Sequence, residues 1–339
     1  PMQIKQQALE ALRKQTLPVE QWMAETQVPG ATAAVIRAGE LVFHGAWGVR
    51  DEYGVPMTEG VLFECASLTK SLFALLAMRE AELGRIRLDE PIAAQLRGEP
   101  WSEDPRYFRL TPRQTLCHAS GLPNWEARPM HMLFDPGEGF SYSGEGYFLL
   151  QRLVEQAEGK DMDELFRAHF FLPYGMESSR ACWSPAVGAA FARGFGRDGQ
   201  IVKRRDSRRT GGNAPEPNAA WSLYSYAADY ARFVCRLITE RGGLSREGFA
   251  EMTAIQISAD ENIGWGLGFG IVKAEPSVLW HWGDNDGFKS IQIWDKVSGD
   301  GAVITTNSDN GPALYFRLLE ALTGAEFFGD IRRFIDSAE

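Results

Sequence analysis

The sequence predicts an α+β fold (an α/β sandwich): an antiparallel sheet flanked by terminal helices, with an all-helical insertion. Three observations predict it. Strand-like runs lie near the start, at residues 31–47, and again after Gly264. Helical periodicity fills the middle of the chain, and helical spacing recurs near both termini. One sheet assembled from both ends and covered by helices buries the apolar face of every layer. Residues 1–62 and 222–339 then form the sheet with its N- and C-terminal helices, and residues 63–221 the helical domain. A functional cleft is expected at their junction.

In chain order, Ile4, Ala8, Leu9 and Leu12, then Val19, Trp22 and Met23, recur at helical spacing around a break at Pro18. Residues 31–37 and 40–47 read as two strands joined by an Ala38-Gly39 turn, with Gly where positive φ is wanted. From Leu68 an apolar helix starts, with Leu68, Leu72, Leu75 and Leu76 on one face. Thr111 is set to cap a helix beginning at Pro112, with Gly121 as its C-cap and Pro123 as its stop. Helical periods follow at 147–157, 161–171 and 221–239. The pattern then changes to short strands at 266–272, 278–281, 290–294 and 302–306, with turns at 284–287 and 299–301, before a last helix at 312–322.

Composition narrows the function. The chain has 339 residues, 44% hydrophobic and 24% charged, so it can bury a sizeable core. A formal charge of −10 argues against nucleic acid or an anionic membrane as the main partner. No apolar run is long enough to span a bilayer. The first residues lack a signal-peptide core, so the expectation is a cytoplasmic protein or a trimmed secreted or periplasmic one. Cys65, Cys117, Cys182 and Cys235 show no CxxC spacing and read as reduced, packed thiols. The five histidines form no metal-ligand pair, so neither metal nor cofactor is expected. The basic run of Lys203, Arg204, Arg205, Arg208 and Arg209 reads as a solvated loop.

Three segments carry chemistry. Ser67-Leu68-Thr69-Lys70 puts a hydroxyl at a helix mouth and an ammonium one turn later on the same face. Alone, this spacing can arise by chance, and a serine there is also an ordinary N-cap. Residues 140–147 present Tyr142 in a loop of small residues before a helix. Residues 281–288 end a strand at His281 with glycines that admit close backbone approach. Taken singly, Tyr142 reads as a packed aromatic and His281 as a satisfied edge histidine.

Taken in order, the three resemble the serine β-lactamase, penicillin-binding-protein and family VIII esterase superfamily, most like its class C branch. Ser67-Leu68-Thr69-Lys70 matches its Ser-x-x-Lys motif, Tyr142-Ser143-Gly144 is similar to Tyr-x-Asn, and His281-Trp282-Gly283 is similar to Lys-Thr-Gly or His-x-Gly. Landmarks at 116–122, 173–176 and 228–231 agree, so the resemblance covers roughly residues 28–320. It implies that Ser67 is the nucleophile of an acyl-enzyme. It also implies Lys70 as the group that holds its hydroxyl, and Tyr142 as a proton shuttle made basic by a close cation. The N–H groups of Ser67 and Asp284 would form the oxyanion hole. His281, with Trp282 and Gly283, would sit beside the substrate's leaving side or carboxylate.

Two departures refine this. Gly144 stands where the family pattern has an Asn that holds the substrate amide. His281 replaces a permanent cation, so any carboxylate hold should weaken as pH rises through the histidine's range. The expected function is therefore a serine hydrolase acting on a small ester or amide without a cofactor. Alternatives are a D-stereospecific peptidase or carboxypeptidase, a weak β-lactamase, and a non-catalytic protein that binds β-lactams or cell-wall fragments. Oligomeric state stays open.

Overall fold

The computed structural model describes residues 1–202 and 216–338; the basic run at 203–209 lies outside the described residues. The strands are β1 (Gly30–Arg37), β2 (Glu40–Gly48), β3 (Phe63–Glu64), β4 (Tyr224–Ser225), β5 (Ile257–Ser258), β6 (Ile263–Trp265), β7 (Gly270–Val272), β8 (Val278–Asn285), β9 (Phe288–Asp295) and β10 (Gly301–Thr306). Eight of them form one sheet in the order β2-β1-β10-β9-β8-β7-β6-β5, and β3 pairs with β4 apart from it. Every pairing is antiparallel. The β1–β10 pairing, from Ala31↔Thr306 to Ile36↔Gly301, joins the two ends of the chain.

The longer helices are α1 (Gln6–Arg13), α2 (Val19–Thr26), α3 (Thr69–Glu82), α4 (Gly144–Glu158), α5 (Ala227–Glu240), α6 (Gly311–Thr323) and α7 (Phe328–Ala338). Helices α1, α2 and α6 pack together, with α6 against β9 and β10, while α5 packs against β1, β2 and β10. Among the described residues no helix is long and apolar enough to cross a membrane.

The β1–β2 turn takes positive φ at both Ala38 (48°) and Gly39 (79°), the twist-matched hairpin geometry. Of the expected strand at 266–272 only 270–272 forms, as β7; residues 266–269 are the bend that joins it to β6. Gly268 holds φ of 97° there, and a Cβ on it would come within 2.3 Å of the Ala74 side chain of α3. Turn geometry and helix packing both outweigh the apolar run. The expected turn at 284–287 is shorter: Asp284 and Asn285 still pair with Lys289 and Phe288, leaving Asp286-Gly287 as the loop.

Helix α3 also differs from expectation. Its leucines are buried as expected, but so is everything between them: from Thr69 through Met78 each side chain is buried. An enclosed helix carries polar groups only where they have partners or chemistry. Lys70 and Glu80 are its two buried residues with an ionisable amine or carboxyl. The capping expectation at Thr111 holds: its hydroxyl accepts from Gln114 N–H in a reciprocal capping box, with Pro112 first in the helix. Gly121 is not the cap. His118 takes the left-handed conformation (φ 60°) just beyond that helix, which turns its ring inward.

Candidate active site

The backbone before Ser67 is sharply turned. Ala66 sits at φ 47°, an unfavourable region for a residue with a Cβ, and its carbonyl accepts from Thr69 N–H and Oγ1. Ser67 thereby stands half-buried two residues before α3, lining a cavity of about 330 Å³. That cavity brings together Ser67, Lys70, Tyr142, Trp282 and Asp284, predicted from three separate segments. A larger open groove of about 820 Å³, between residues 1–6 and 323–330, contains none of them.

Lys70 Nζ lies 3.0 Å from Ser67 Oγ and donates to the Ala220 carbonyl at 2.8 Å. It also sits 4.6 Å from the centre of the Tyr142 ring and 5.7 Å from that of Tyr147. The side chain is 1% exposed, and burial alone holds its pKa well below the usual lysine range. The Tyr142 hydroxyl is enclosed as well. Burial pushes its pKa up, the nearby Ser67 side chain opposes that, and Asp284 adds to it. No hydrogen bond of good geometry engages that hydroxyl among the described residues. These shifts favour a neutral amine beside a neutral phenol. A phenolate kept by a cationic lysine, as the sequence suggested, runs against both.

Glycines set how closely the two halves approach. A Cβ on Gly283 would lie 2.3 Å from both the Cys65 carbonyl and Ser290 Oγ, so β8 can pass behind the Ser67 turn only because residue 283 is Gly. The sequence read this glycine as room for a ligand; the chain's own backbone uses it. Beyond Gly270↔Trp280 β7 no longer flanks β8, so the stretch of β8 from Trp282 to Asp284 borders the cavity.

His281 departs most from expectation. It is fully buried and absent from the cavity wall. Its Nδ1 bonds the Trp282 carbonyl at 2.8 Å, which makes that nitrogen the protonated one. Burial first, and then Lys70, push its pKa down to about 3. A shift of that direction favours the neutral ring, which offers no cationic hold to a substrate carboxylate. Trp282, stacked on it at 5.3 Å, presents the wall instead.

Several residues here escaped the sequence reading. Gly144 is explained by Trp125: a Cβ at 144 would meet the indole at 2.4–2.9 Å. Asn124 Oδ1 accepts the Gly144 N–H at 2.8 Å, and both Asn124 and Trp125 line the cavity. His118 lies behind Tyr142, ring centres 4.2 Å apart, and its Nδ1 accepts Ser143 N–H at 3.0 Å. Phe334 of α7 packs on Trp282 and Trp265, and Ala338 reaches the cavity rim. The only local signal for any of these was the indole two residues after Pro123.

Comparison with known proteins agrees with this architecture. The chain is 27% identical over 192 residues to a penicillin-binding protein of Bacillus subtilis, covering 50% of this chain and 41% of the relative. It is 29% identical over 189 residues to esterase EstB of Burkholderia gladioli, covering 46% and 48%. A D-aminopeptidase of Gluconobacter oxydans is 26% identical over 174 residues, 44% of this chain and 32% of the relative. The chain thus spans about half the length, or less, of these relatives. Among solved structures, EstCE1, described as a hydrolase with promiscuous acyltransferase activity, shares the fold. Its TM-score is 0.78 at 19% identity, over 93% of this chain and 99% of that one. The model of the family described as Beta-lactamase matches residues 18–324, nearly the whole sheet and everything between its strands. The chain belongs to the Beta-lactamase family.

Proposed function

We propose that this chain is a serine hydrolase that forms an acyl-enzyme at Ser67 with a small ester or amide. The observation that carries the reading is the buried Lys70 amine, 3.0 Å from Ser67 Oγ and pushed toward its neutral form. A neutral amine there can take the serine proton as the oxygen attacks the substrate carbonyl. The oxyanion would be met by Ser67 N–H at the turn and Asp284 N–H on the β8 edge, donors each typically worth ~10²–10³ in turnover. Tyr142, kept neutral by burial, would donate its proton to the departing oxygen or nitrogen and recover one from Lys70. Water would then release the acyl group by the reverse route.

A cavity of about 330 Å³ suits a small substrate. A substrate panel tests the reading: short p-nitrophenyl esters, a chromogenic cephalosporin, and D-amino-acid amides and peptides, all against one preparation. Fluorophosphonate labelling should find one serine and should be absent in Ser67→Ala. Ester or amide turnover well above lactam turnover is expected. Lactam turnover equal to ester turnover would favour the β-lactamase alternative, and labelling that persists in Ser67→Ala would refute the nucleophile.

A further inference from the structure

The family pattern places a side-chain amide two residues after the tyrosine, and here that place is taken by an indole. Trp125 lies so close to the Gly144 Cα that any side chain at 144 would collide with it. Immediately before that indole stands Asn124, also on the cavity wall. Its side chain has a fixed orientation. Oδ1 accepts the Gly144 N–H at 2.8 Å, and a backbone N–H can only donate, so the oxygen and nitrogen of this amide cannot be exchanged. The Asn124 carbonyl meanwhile accepts from Glu145 N–H at 3.0 Å, which ties the residue to the start of α4 at a second point. The Nδ2 group, with two N–H donors, makes no hydrogen bond among the described residues, and the residue that carries it lines the cavity.

We propose that Asn124 supplies the substrate-holding amide that Gly144 lacks, and that it offers a donor only. The preferred acyl group would therefore carry a hydrogen-bond acceptor, a carbonyl or amide oxygen, close to the scissile carbonyl. Plain alkanoyl groups of the same size would be poorer substrates. The Trp125 indole forms the flat apolar floor beside this contact, where a longer polar side chain would otherwise stand. The inference rests on the acyl-transfer reading above, and it adds the substrate class.

The test compares p-nitrophenyl esters of N-acetyl-D-alanine, N-acetyl-L-alanine and butyrate in the native protein and in Asn124→Asp and Asn124→Ala. Asn124→Asp keeps an acceptor for Gly144 N–H while removing the N–H donors, so it separates recognition from helix-start geometry. Native kcat/KM should favour an acetylamino ester over butyrate by about tenfold, and both variants should bring that ratio within about threefold of one, the span of one neutral hydrogen bond. A native ratio near one, or a preference that survives in Asn124→Asp, would overturn the assignment. Fluorophosphonate labelling of Ser67, run in parallel, reads the acyl-transfer chemistry separately. Labelled protein without the ratio change fails Asn124 alone, and unlabelled native protein fails the parent reading.

Discussion

One buried lysine lines the cavity and a second stands behind its sheet wall, bonded to Asp284, and the two live in opposite conditions. Lys70, on the α3 side, has the Ser67 hydroxyl, a carbonyl and two aromatic faces around it, and burial drives its pKa far down. Lys289, on the sheet side, is 7% exposed. It bonds Asp284 Oδ1 at 2.6 Å, Asp309 Oδ1 at 2.8 Å and the Asn285 carbonyl at 3.1 Å. Burial would lower its pKa too, but the two carboxylates outweigh it and raise the value. Burial with no carboxylate beside it among the described residues thus pushes Lys70 toward its neutral form, while burial against two carboxylates keeps Lys289 charged.

This comparison can be broken by removing each amine. Lys70→Met should cost about 10²–10⁴ in turnover, as loss of a general base does, while the protein becomes more stable. The sign follows from linkage: below the ordinary lysine range the unfolded chain binds a proton that the native Lys70 resists, so native burial is unfavourable there. Methionine removes that cost, and a gain of about 0.5–2 kcal/mol in urea unfolding is expected. Lys289→Met should do the reverse. It strands Asp284 and Asp309 and should destabilise by about 3–5 kcal/mol, the usual cost of breaking a buried pair from one side. If both variants shift the unfolding midpoint in the same direction, the contrast fails.

Gly283→Ala sharpens the geometric side of the comparison. The added methyl would need to displace the Cys65 carbonyl, so the β8 edge and the Ser67 turn must separate. A loss of about 1–3 kcal/mol is expected from overpacking. Turnover should fall more than labelling by a small fluorophosphonate, because the oxyanion donors move apart.

A smaller effect comes from Glu80, the buried carboxyl of α3. Burial first, then Glu158, push its carboxyl up to about 7 against the pull of Arg85. Between about pH 4.5 and 7 the native state therefore holds a proton that the unfolded chain has released. Stability should fall as pH rises through that window, and Glu80→Gln should flatten the slope in thermal melts. An unchanged slope would place the titration elsewhere.

The difference between the two walls also explains what could be read from the chain alone. Ser67 and Lys70 lie three residues apart at a helix start, and Tyr142 opens another helix, so local pattern and order exposed them. The sheet from both chain ends was legible because strand-like runs and turns alternate there. Lys289 was not legible: its partners are 5 and 20 residues away, and their meeting depends on the β8–β9 register. His281 was not legible as a buried group because its type implies titration, whereas its enclosure among Trp282 and Trp265 disfavours the charged form. Gly144 looked like a missing function because nothing near it in sequence announces Trp125, 19 residues earlier. Helix α7 went unread because the last expected helix was set at 312–322.

If a neutral Lys70 activates Ser67, the rate of Ser67 acylation follows the protonation of that amine across pH. Second-order fluorophosphonate labelling, followed by intact mass across pH 5–10, isolates the first step from product release. Labelling should level off well below the pH at which an ordinary lysine loses its proton, and decline toward acid as Lys70 takes one up. It should be abolished in Ser67→Ala and largely lost in Lys70→Met. A rate that keeps climbing up to pH 10, as an ordinary lysine or tyrosine base would give, would contradict a neutral Lys70 as the activating group.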